Sequence, residues 1–264
     1  MFNGESFTFD SVPSELYGLR ILNFSASSIT NSSAGSEINL SQKWLYRRQK
    51  PYYFGRSLNT ALQIEMTIGT GDFMPVGDGA IIKKWLMGRT GYKKLVIEQD
   101  DLMGYYFNCI VISATEQYVG GQLIGITLNL MCDAPWGWTF PKTLTYTFTN
   151  GIVQNFNINF YNDSDSDDYY YPEITFALAA IGTSFSLVNN TDDGREFLFT
   201  GLQANEEMTI DNDRQTISGS SGLRRLSNFN KNWFRLLPGM NELTVVSAIN
   251  EFTMTYSLAK KLGG

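Results

Sequence analysis

Apolar and polar residues alternate with a period of two along most of the chain, and this pattern predicts β-strands. The clearest examples in the first half are Thr60 to Ile68 and Gln122 to Cys132. Further strands are predicted at Leu16 to Phe24, Lys94 to Glu98 and Tyr105 to Ala114. Together these segments predict a β domain over residues 1–134.

One segment of the first half has a helical pattern instead. Residues Ala80 to Met87 follow Asp78, which can cap a helix, and Gly88 ends the segment. The lysines at 83 and 84 fall on the polar side. The residues predicted to share the buried side are Ile81, Ile82, Trp85 and Leu86.

The second half alternates more regularly and shows no helix longer than a turn. Short strands separated by turn signals such as T-D-D-G-R and P-G-M-N are typical of a sandwich. We therefore predict an antiparallel β-sandwich over residues 143–264. The predicted strands include Glu173 to Leu178, Ser184 to Asn189, Glu196 to Leu202, Glu207 to Ile210, Gln215 to Ile217, Trp233 to Leu237, Glu242 to Val246 and Phe252 to Leu258.

The alternation stops at residues 135–142, between the two predicted domains. Pro135 and Pro141 each lack a backbone donor and restrict the residue before them. Trp136 and Trp138 carry too much apolar surface to remain in water. We interpret the segment as a stiff joint that packs against a domain and lacks regular structure.

Basic and aromatic residues are interleaved from Gln42 to Arg56. Such a pattern is compatible with stacking of single-stranded nucleic acid over a basic groove. The favoured interpretation is a strand or arm whose aromatics pack inward, or a protein–protein contact. The candidate residues are Trp44, Tyr46, Arg48, Tyr52, Tyr53 and Arg56.

The composition of the chain excludes several kinds of catalytic and binding site. The chain has no histidine, which excludes histidine-dependent nucleophilic catalysis and histidine-containing zinc sites. Its two cysteines, Cys109 and Cys132, are predicted to be buried thiols in strands. The net charge is −6, and residues 136–264 carry −5 of it, which argues against tight nucleic-acid binding. No apolar run approaches the ~18 residues of a membrane helix, and no secretory signal is visible.

Three other chemistries have weaker signals. Residues Asn162 to Asp168 resemble the start of a calcium loop, but Asp168 stands where glycine belongs and Ile174 where the closing glutamate belongs. An exposed Trp233 or Tyr256 would suit a carbohydrate-binding sandwich that attaches to a host cell surface, which is the alternative function. Paired carboxylates would suit glycoside hydrolysis. The candidates for that pair are Glu173, Glu196, Glu206, Glu207 and Asp211.

The order of several motifs resembles the distal tail proteins (Dit) of bacteriophages with long non-contractile tails. The first half contains M-F-N-G-E-S-F-T-F-D, W-L-Y-R-R-Q-K-P-Y-Y-F-G-R, W-L-M-G-R-T-G-Y-K-K-L and Y-Y-F-N-C. The motif C-D-A-P-W-G-W fits the family's inter-domain position. The second half contains E-E-M-T-I-D-N-D-R-Q-T-I and N-W-F-R-L-L-P-G-M-N-E-L-T-V, which resemble the closing strands of its galectin-like sandwich.

This resemblance implies a mainly β chain with an N-terminal sandwich- or barrel-like domain that forms rings and a C-terminal galectin-like sandwich. It implies a homo-hexameric hub that joins the tail tube to the baseplate or tail tip and passes the tape measure protein and DNA. The implied partners are the tail tube protein, the tail-associated hub protein and receptor-binding or side-fibre proteins. The resemblance implies neither catalysis nor a cofactor, and a location in the virion after assembly in the host cytoplasm.

Overall fold

The structure, a computed structural model, describes residues 6–22, 39–57, 61–74, 77–148 and 156–261. The chain divides into two compact units, one formed by Met1–Thr139 with Lys260–Gly264 and the other by Phe140–Ala259. Both units are built mainly from antiparallel strands, which confirms the predicted fold class. The galectin-like character of the second unit stays a prediction.

The strands of the chain up to residue 139 are β1 (Phe7–Phe9), β2 (Val12–Pro13), β3 (Arg20–Leu22), β4 (Asn39–Lys43), β5 (Tyr52–Ser57), β6 (Gln63–Gly69), β7 (Lys93–Ile97), β8 (Tyr105–Val119), β9 (Gln122–Cys132) and β10 (Gly137–Thr139). The helix of this part is α1 (Asp78–Met87), and short 3₁₀ turns cover Ser14–Tyr17 and Asp100–Leu102. The remaining strands are β11 (Lys142–Thr147), β12 (Phe156–Asn162), β13 (Glu173–Leu178), β14 (Ser184–Asn189), β15 (Arg195–Thr200), β16 (Glu207–Asp211), β17 (Thr216–Gly219), β18 (Gly239–Ser247), β19 (Ile249–Tyr256) and β20 (Ala259–Lys260). A 3₁₀ turn covers Leu226–Asn228.

The first unit is organised around one sheet in the order β2-β1-β7-β8-β9-β6-β3, with β10 paired to β8 and to β20. The four apolar residues that alternate along β6 and the residue before it are all buried, as the period of two predicts. These residues are Leu62, Ile64, Met66 and Ile68. Trp85 of α1 closes the core, because its ring stacks on Phe7 with 6.1 Å between centroids.

The helix differs from its prediction at two residues. Ile81 is exposed, because the buried side of α1 is formed by Gly79, Ile82, Trp85 and Leu86. Asp78 does not cap the helix, since it is the first helical residue and the N-cap position belongs to Gly77, which makes no side-chain cap hydrogen bond. Gly77 has a φ of 106°, a conformation that a side chain at this position would strain.

The hairpin of β8 and β9 is the longest paired element of the first unit. Its two-residue turn, Gly120 and Gly121, has positive φ at both positions, as the tight hairpin turns require. Ile112 is exposed because a bulge leaves it without a register partner between Val111 and Ser113. Beyond this bulge β8 extends out of the core, and none of its residues from 112 to 119 is fully buried.

Both cysteines lie at the buried end of this hairpin, as predicted. Cys109 of β8 and Cys132 of β9 are register partners, and both thiols are free and buried. Burial raises the pKa of both thiols, that of Cys132 to about 12, so both stay protonated.

The second unit is a sandwich of two antiparallel sheets, ordered β11-β19-β13-β16-β17 and β12-β18-β14-β15. Phenylalanines join the two layers. Phe176 of β13 stacks on Phe185 of β14 with centroids 3.8 Å apart, and both side chains are fully buried. The apolar residues that alternate along the strands therefore face the core between the two sheets, and the polar residues face solvent.

One predicted strand of the second half is wrong. Residues 233–237 form only an isolated bridge from Leu236 to Tyr170. Side chains occupy other backbone groups of the segment, because Phe234 N donates to Asn212 Oδ1 and Arg195 donates to Trp233 O. In the first half, the strand predicted at Leu16 to Phe24 is wrong at its start, because Ser14–Tyr17 form a 3₁₀ turn and β3 covers only Arg20–Leu22. Its last two residues lie outside the described residues.

Within the described ranges, no helix combines the length and the apolar character needed to cross a membrane.

Replacing Phe176 by Ala is expected to destabilise the second unit by about 3–5 kcal/mol, because it opens a cavity between two packed sheets. Scanning calorimetry of the full chain would show the unit's melting temperature falling. Tyr161→Ala is the matched control, since this aromatic of β12 is exposed and its loss should change stability by about 0.5 kcal/mol or less. Equal effects of the two substitutions would contradict the proposed core.

Candidate functional site: an exposed basic and aromatic arm

The residues from Asn39 to Ser57 form an arm, a hairpin of β4 and β5 joined by a loop over residues 44–51. Among the described strands, β4 and β5 pair only with each other. The arm's loop contains a turn in which Arg48 N donates to Leu45 O at 3.1 Å. Arg47 in this turn has a φ of 65°. The arm therefore has a defined shape but belongs to no sheet beyond its own two strands.

The aromatic side chains of the arm are exposed. Tyr46 is 90% exposed, Phe54 67%, Tyr53 62% and Trp44 61%. The prediction that these aromatics pack inward is wrong, because no second layer of the described chain covers the hairpin. Exposed aromatics in such a group mark interaction surfaces more often than isolated ones do. Of the two favoured interpretations, inward packing and a protein–protein contact, this exposure is compatible with the second.

The cations of the arm have aromatic neighbours instead of acidic ones. The Arg48 guanidinium lies 3.8 Å from the centre of the Tyr52 ring, and that of Arg47 lies 5.2 Å from the Tyr46 ring. Each contact at an exposed site contributes about 0.5–1 kcal/mol. From Asn39 to Arg56 the sequence contains no Asp or Glu. Among the described residues none forms an ion pair with a cation of the arm, so the arm presents positive charge together with apolar area. The candidate Arg56 belongs to β5, and its side chain lies outside the described residues.

The predicted joint contains a strand that sequence reasoning missed. In β10, Trp138 pairs with Tyr106 and Thr139 with Tyr105, so the segment extends the ladder on β8 after a short detour from β9. Gly137 permits this pairing, because a Cβ there would lie 3.0 Å from the Phe107 ring. Period-two alternation could not reveal a three-residue strand.

Hydrogen bonds and ring contacts hold residues 133–136, which connect β9 to β10, against the first unit. The Asp133 carboxylate accepts hydrogen bonds from the Asn108 amide at 2.9 Å and the Trp138 indole at 3.3 Å. Ala134 O accepts from Leu62 N at 3.1 Å. Trp136 and Trp138 meet edge to face with centroids 6.1 Å apart. These contacts make residues 135–139 of the joint a packed segment of the first unit, while Pro141 is exposed.

The acidic candidates do not form a catalytic pair in the described structure. Glu206 is buried, and Arg225 donates to both of its oxygens at 2.9 and 2.6 Å. Burial alone would raise the pKa of Glu206, but hydrogen bonds from Arg225, Ser221 and the Gln203 amide hold it below its usual range. A carboxyl held ionised in this way cannot serve as the general acid of a glycosidase.

The other acids lie on strand surfaces. Glu173 and Asp211 are register partners on neighbouring strands of one sheet, which places them side by side and not across a cleft. Glu196 accepts a hydrogen bond from Ser186 at 2.6 Å, and Glu207 is exposed. Their positions are those of ordinary surface acids.

The other weak candidates are also occupied by local contacts. The two aromatic platforms pack against the core of the second unit, Trp233 on Phe229 and Tyr256 on Phe160, each with centroids 4.9 Å apart. In the acidic loop, Asp168 N donates to Ser166 Oγ, which is a local turn contact. No group of three or more His, Cys, Asp or Glu side chains in the described ranges is arranged to hold a metal ion.

Two family models together account for nearly the whole sequence. A model described as phage tail protein N-terminal domain matches residues 2–134, and one described as phage tail C-terminal domain matches residues 136–257. The chain belongs to this family of phage tail proteins. As a tail protein it is a component of the virion. No curated protein matches the sequence.

Solved structures share the fold of this tail protein at low sequence identity. The crystal structure of SPP1 Dit (gp 19.1), described as a paradigm of the hub adsorption apparatus in phages that infect Gram-positive bacteria, has a TM-score of 0.69 at 12% identity. The match covers 96% of this chain and 98% of that chain. A chain of the phage P2 baseplate activated with Ca has a TM-score of 0.54 at 12% identity over 90% of each chain. A chain of the phage p2 baseplate in its activated conformation with Sr has a TM-score of 0.56 at 11% identity, over 95% of this chain and 97% of that chain. The predicted resemblance to distal tail proteins is confirmed.

Limited digestion of the dissociated, monomeric chain with chymotrypsin is expected to cut the arm before the joint. The exposed aromatics from Trp44 to Phe54 offer accessible sites, whereas Trp136 and Trp138 lie in a segment held by hydrogen bonds and a ladder. Mass spectrometry of early fragments identifies the cut. Fragments that end within residues 135–141 as early as those from the arm would contradict a stiff joint.

Glu206→Gln is expected to cost about 3–5 kcal/mol at pH 7, because it leaves Arg225 buried without a charged partner. The pKa of Glu206 is lowered in the folded chain, so the stability it provides is present above the ordinary glutamate pKa and lost as the pH falls through the folded value. The melting-temperature difference from the unsubstituted chain should therefore shrink toward about pH 2. Glu207→Gln, at the exposed neighbouring position, is the control. A difference independent of pH would contradict the role of the ion pair.

Proposed function

We propose that the chain is a distal tail protein that forms a homo-hexameric hub between the tail tube and the baseplate or tail tip. The ring forms through the first unit, and its channel passes the tape measure protein and then DNA. The tail tube protein and the tail-associated hub protein bind the ring, and receptor-binding or side-fibre proteins bind its periphery. The role is structural and requires neither catalysis nor a cofactor.

One observation carries this proposal, the fold match to SPP1 Dit that spans 96% of this chain and 98% of that chain. A match over a single sandwich would support any of many functions, because that architecture is widespread. A match over the succession of both units is more specific, and the family description places both in phage tails. The titles of the similar structures describe a hub and baseplates.

The arm supports the proposal because a ring needs an adhesive surface on each subunit. Trp44, Tyr46 and Tyr53 are more than half exposed in the single chain. Tryptophan and tyrosine are the side chains that most often dominate the energy of protein interfaces, and each buries about 150–250 Å² when covered. Burial of the arm against a neighbouring subunit would also remove from water the outer edges of β4 and β5, which pair with no other described strand.

The carboxylates support a structural role over the glycosidase alternative. Glu206, the candidate with the lowered pKa, is bound by Arg225 in a buried pair. Asp192 is likewise paired with Arg235 at 2.7 Å. In both cases the carboxylate stabilises loops of the second unit and offers no proton to a substrate.

Mass photometry of the purified chain is expected to give a particle near six times its 29.7 kDa mass. The double variant Trp44→Ala with Tyr53→Ala should lose this particle, since it removes two large exposed aromatics from the arm. Its monomer should melt at an unchanged temperature, because neither side chain is buried in the single chain.

The matched control is Leu16→Ala with Tyr92→Ala, two exposed apolar side chains of the first unit outside the arm. This control should keep the particle. Hexamers of the arm variant at unchanged stability would refute the arm assignment and leave the hub intact. A strictly monomeric chain at every concentration measured would refute the self-assembling ring.

A further inference from the structure

A groove on the first unit has the features of a receptor for the arm. The groove has a volume of about 580 Å³ and lies between the start of α1 and the outer end of the β8–β9 hairpin. Its apolar walls include Phe73, which is 54% exposed, together with Tyr118 and Leu123. Concave sites of roughly 300–1,000 Å³ are large enough for drug-sized ligands, so this volume accommodates aromatic side chains.

The groove is a built feature of the fold. Met74 N donates to Leu123 O at 2.8 Å, which ties the loop before α1 to β9. Lys83 of α1 contacts Glu116 of β8 at 2.6 Å, and the Tyr118 hydroxyl donates to the same carboxylate at 2.8 Å. At Gly79 a Cβ would lie 2.8 Å from Leu123, so the helix starts unusually close to the hairpin. These contacts hold the walls of the groove in place in the single chain, without a bound partner.

The rim of the groove has the opposite charge from the arm. Glu116 lines the groove but is already paired with Lys83. Asp72 and Asp78 are sequence neighbours of the lining residues Phe73, Gly77 and Gly79. Both carboxylates are exposed, and no described residue forms an ion pair with either of them. The arm, in contrast, carries five Lys or Arg and no acidic residue from Asn39 to Arg56. Opposite potentials on two surfaces favour their association and set its orientation.

We propose that the arm of one subunit binds in this groove of the next copy of the chain, with an aromatic of the arm's loop between Phe73 and Leu123. The inference rests on the proposed ring and names the contact that closes it. Arm and groove are different surfaces, so their contact is head-to-tail, and a head-to-tail contact repeats around a ring when the rotation closes. The occupant is a second copy because the arm matches the groove in both apolar character and charge.

Cysteine cross-linking of the full chain tests the contact directly. Tyr46→Cys places a thiol on the loop of the arm, and Phe73→Cys places one on the groove wall. Both native thiols are buried, so they do not compete. A short bismaleimide should convert the double variant into a ladder of covalent species up to the mass of the ring. The control pair is Tyr46→Cys with Met103→Cys, because Met103 is 74% exposed and lies just before β8, at its opposite end, roughly 40 Å along the strand from Tyr118.

Charge reversal tests the same contact without relying on the reach of a linker. Arg47→Glu with Arg48→Glu should weaken assembly by about 100-fold or more, because like charges would then face each other. Asp72→Lys with Asp78→Lys should do the same, and the combination of all four substitutions should restore at least part of the loss. Sedimentation measures each affinity.

The outcomes separate this inference from the proposed function. The proposal is supported if covalent species form with the Tyr46→Cys, Phe73→Cys variant but not with the control pair, and if the four charge substitutions together restore assembly. Hexamers that give no ladder beyond the control pair and no rescue would overturn the arm–groove contact while the hub stands. A chain that never associates would overturn both.

Discussion

The antiparallel pairing of β8 with β9 is the interaction on which the first unit depends. Its inner end, at Cys109 and Cys132, is buried in the core, and its outer end projects beyond the bulge at Ile112. The outer end supplies one wall of the groove, and α1 supplies the other. At the inner end, β10 continues along β8, so the joint is an extension of the same ladder. Core, groove and joint therefore share one element.

The sequence predicted those parts of the fold in which local pattern and tertiary packing agree. The alternation of Ile64, Met66 and Ile68 matched a face that is buried, and Phe176 and Phe185 lie where alternation places them. The failures came from contacts that no local pattern encodes. Asn212 accepts the hydrogen bond from Phe234 N in place of a strand partner. The absence of a side chain at Gly137 leaves room for the Phe107 ring beside β10.

The candidate site shows the same division. Interleaved aromatics and cations located the arm, but burial of its aromatics was the wrong inference, because the pattern does not reveal whether a second layer exists. The groove was not predicted at all. Its walls come from α1 and the β8–β9 hairpin, and the close approach of Gly79 to Leu123 joins residues that no local pattern connects. Surfaces that recognise a partner are assembled by topology, and they follow only once the fold is known.

The opposed cysteines have a consequence for how such a particle ages. A virion component works outside a cell, where dissolved oxygen oxidises accessible thiolates. Here both sulfurs lie within the sheet and remain protonated, so neither is available to form a bond with a neighbouring copy. The chain also contains no histidine whose charge would change near neutrality. A tail part built in this way forms no disulfide to a neighbouring copy through these thiols, and it carries nearly the same charge in the medium as in the cell that made it.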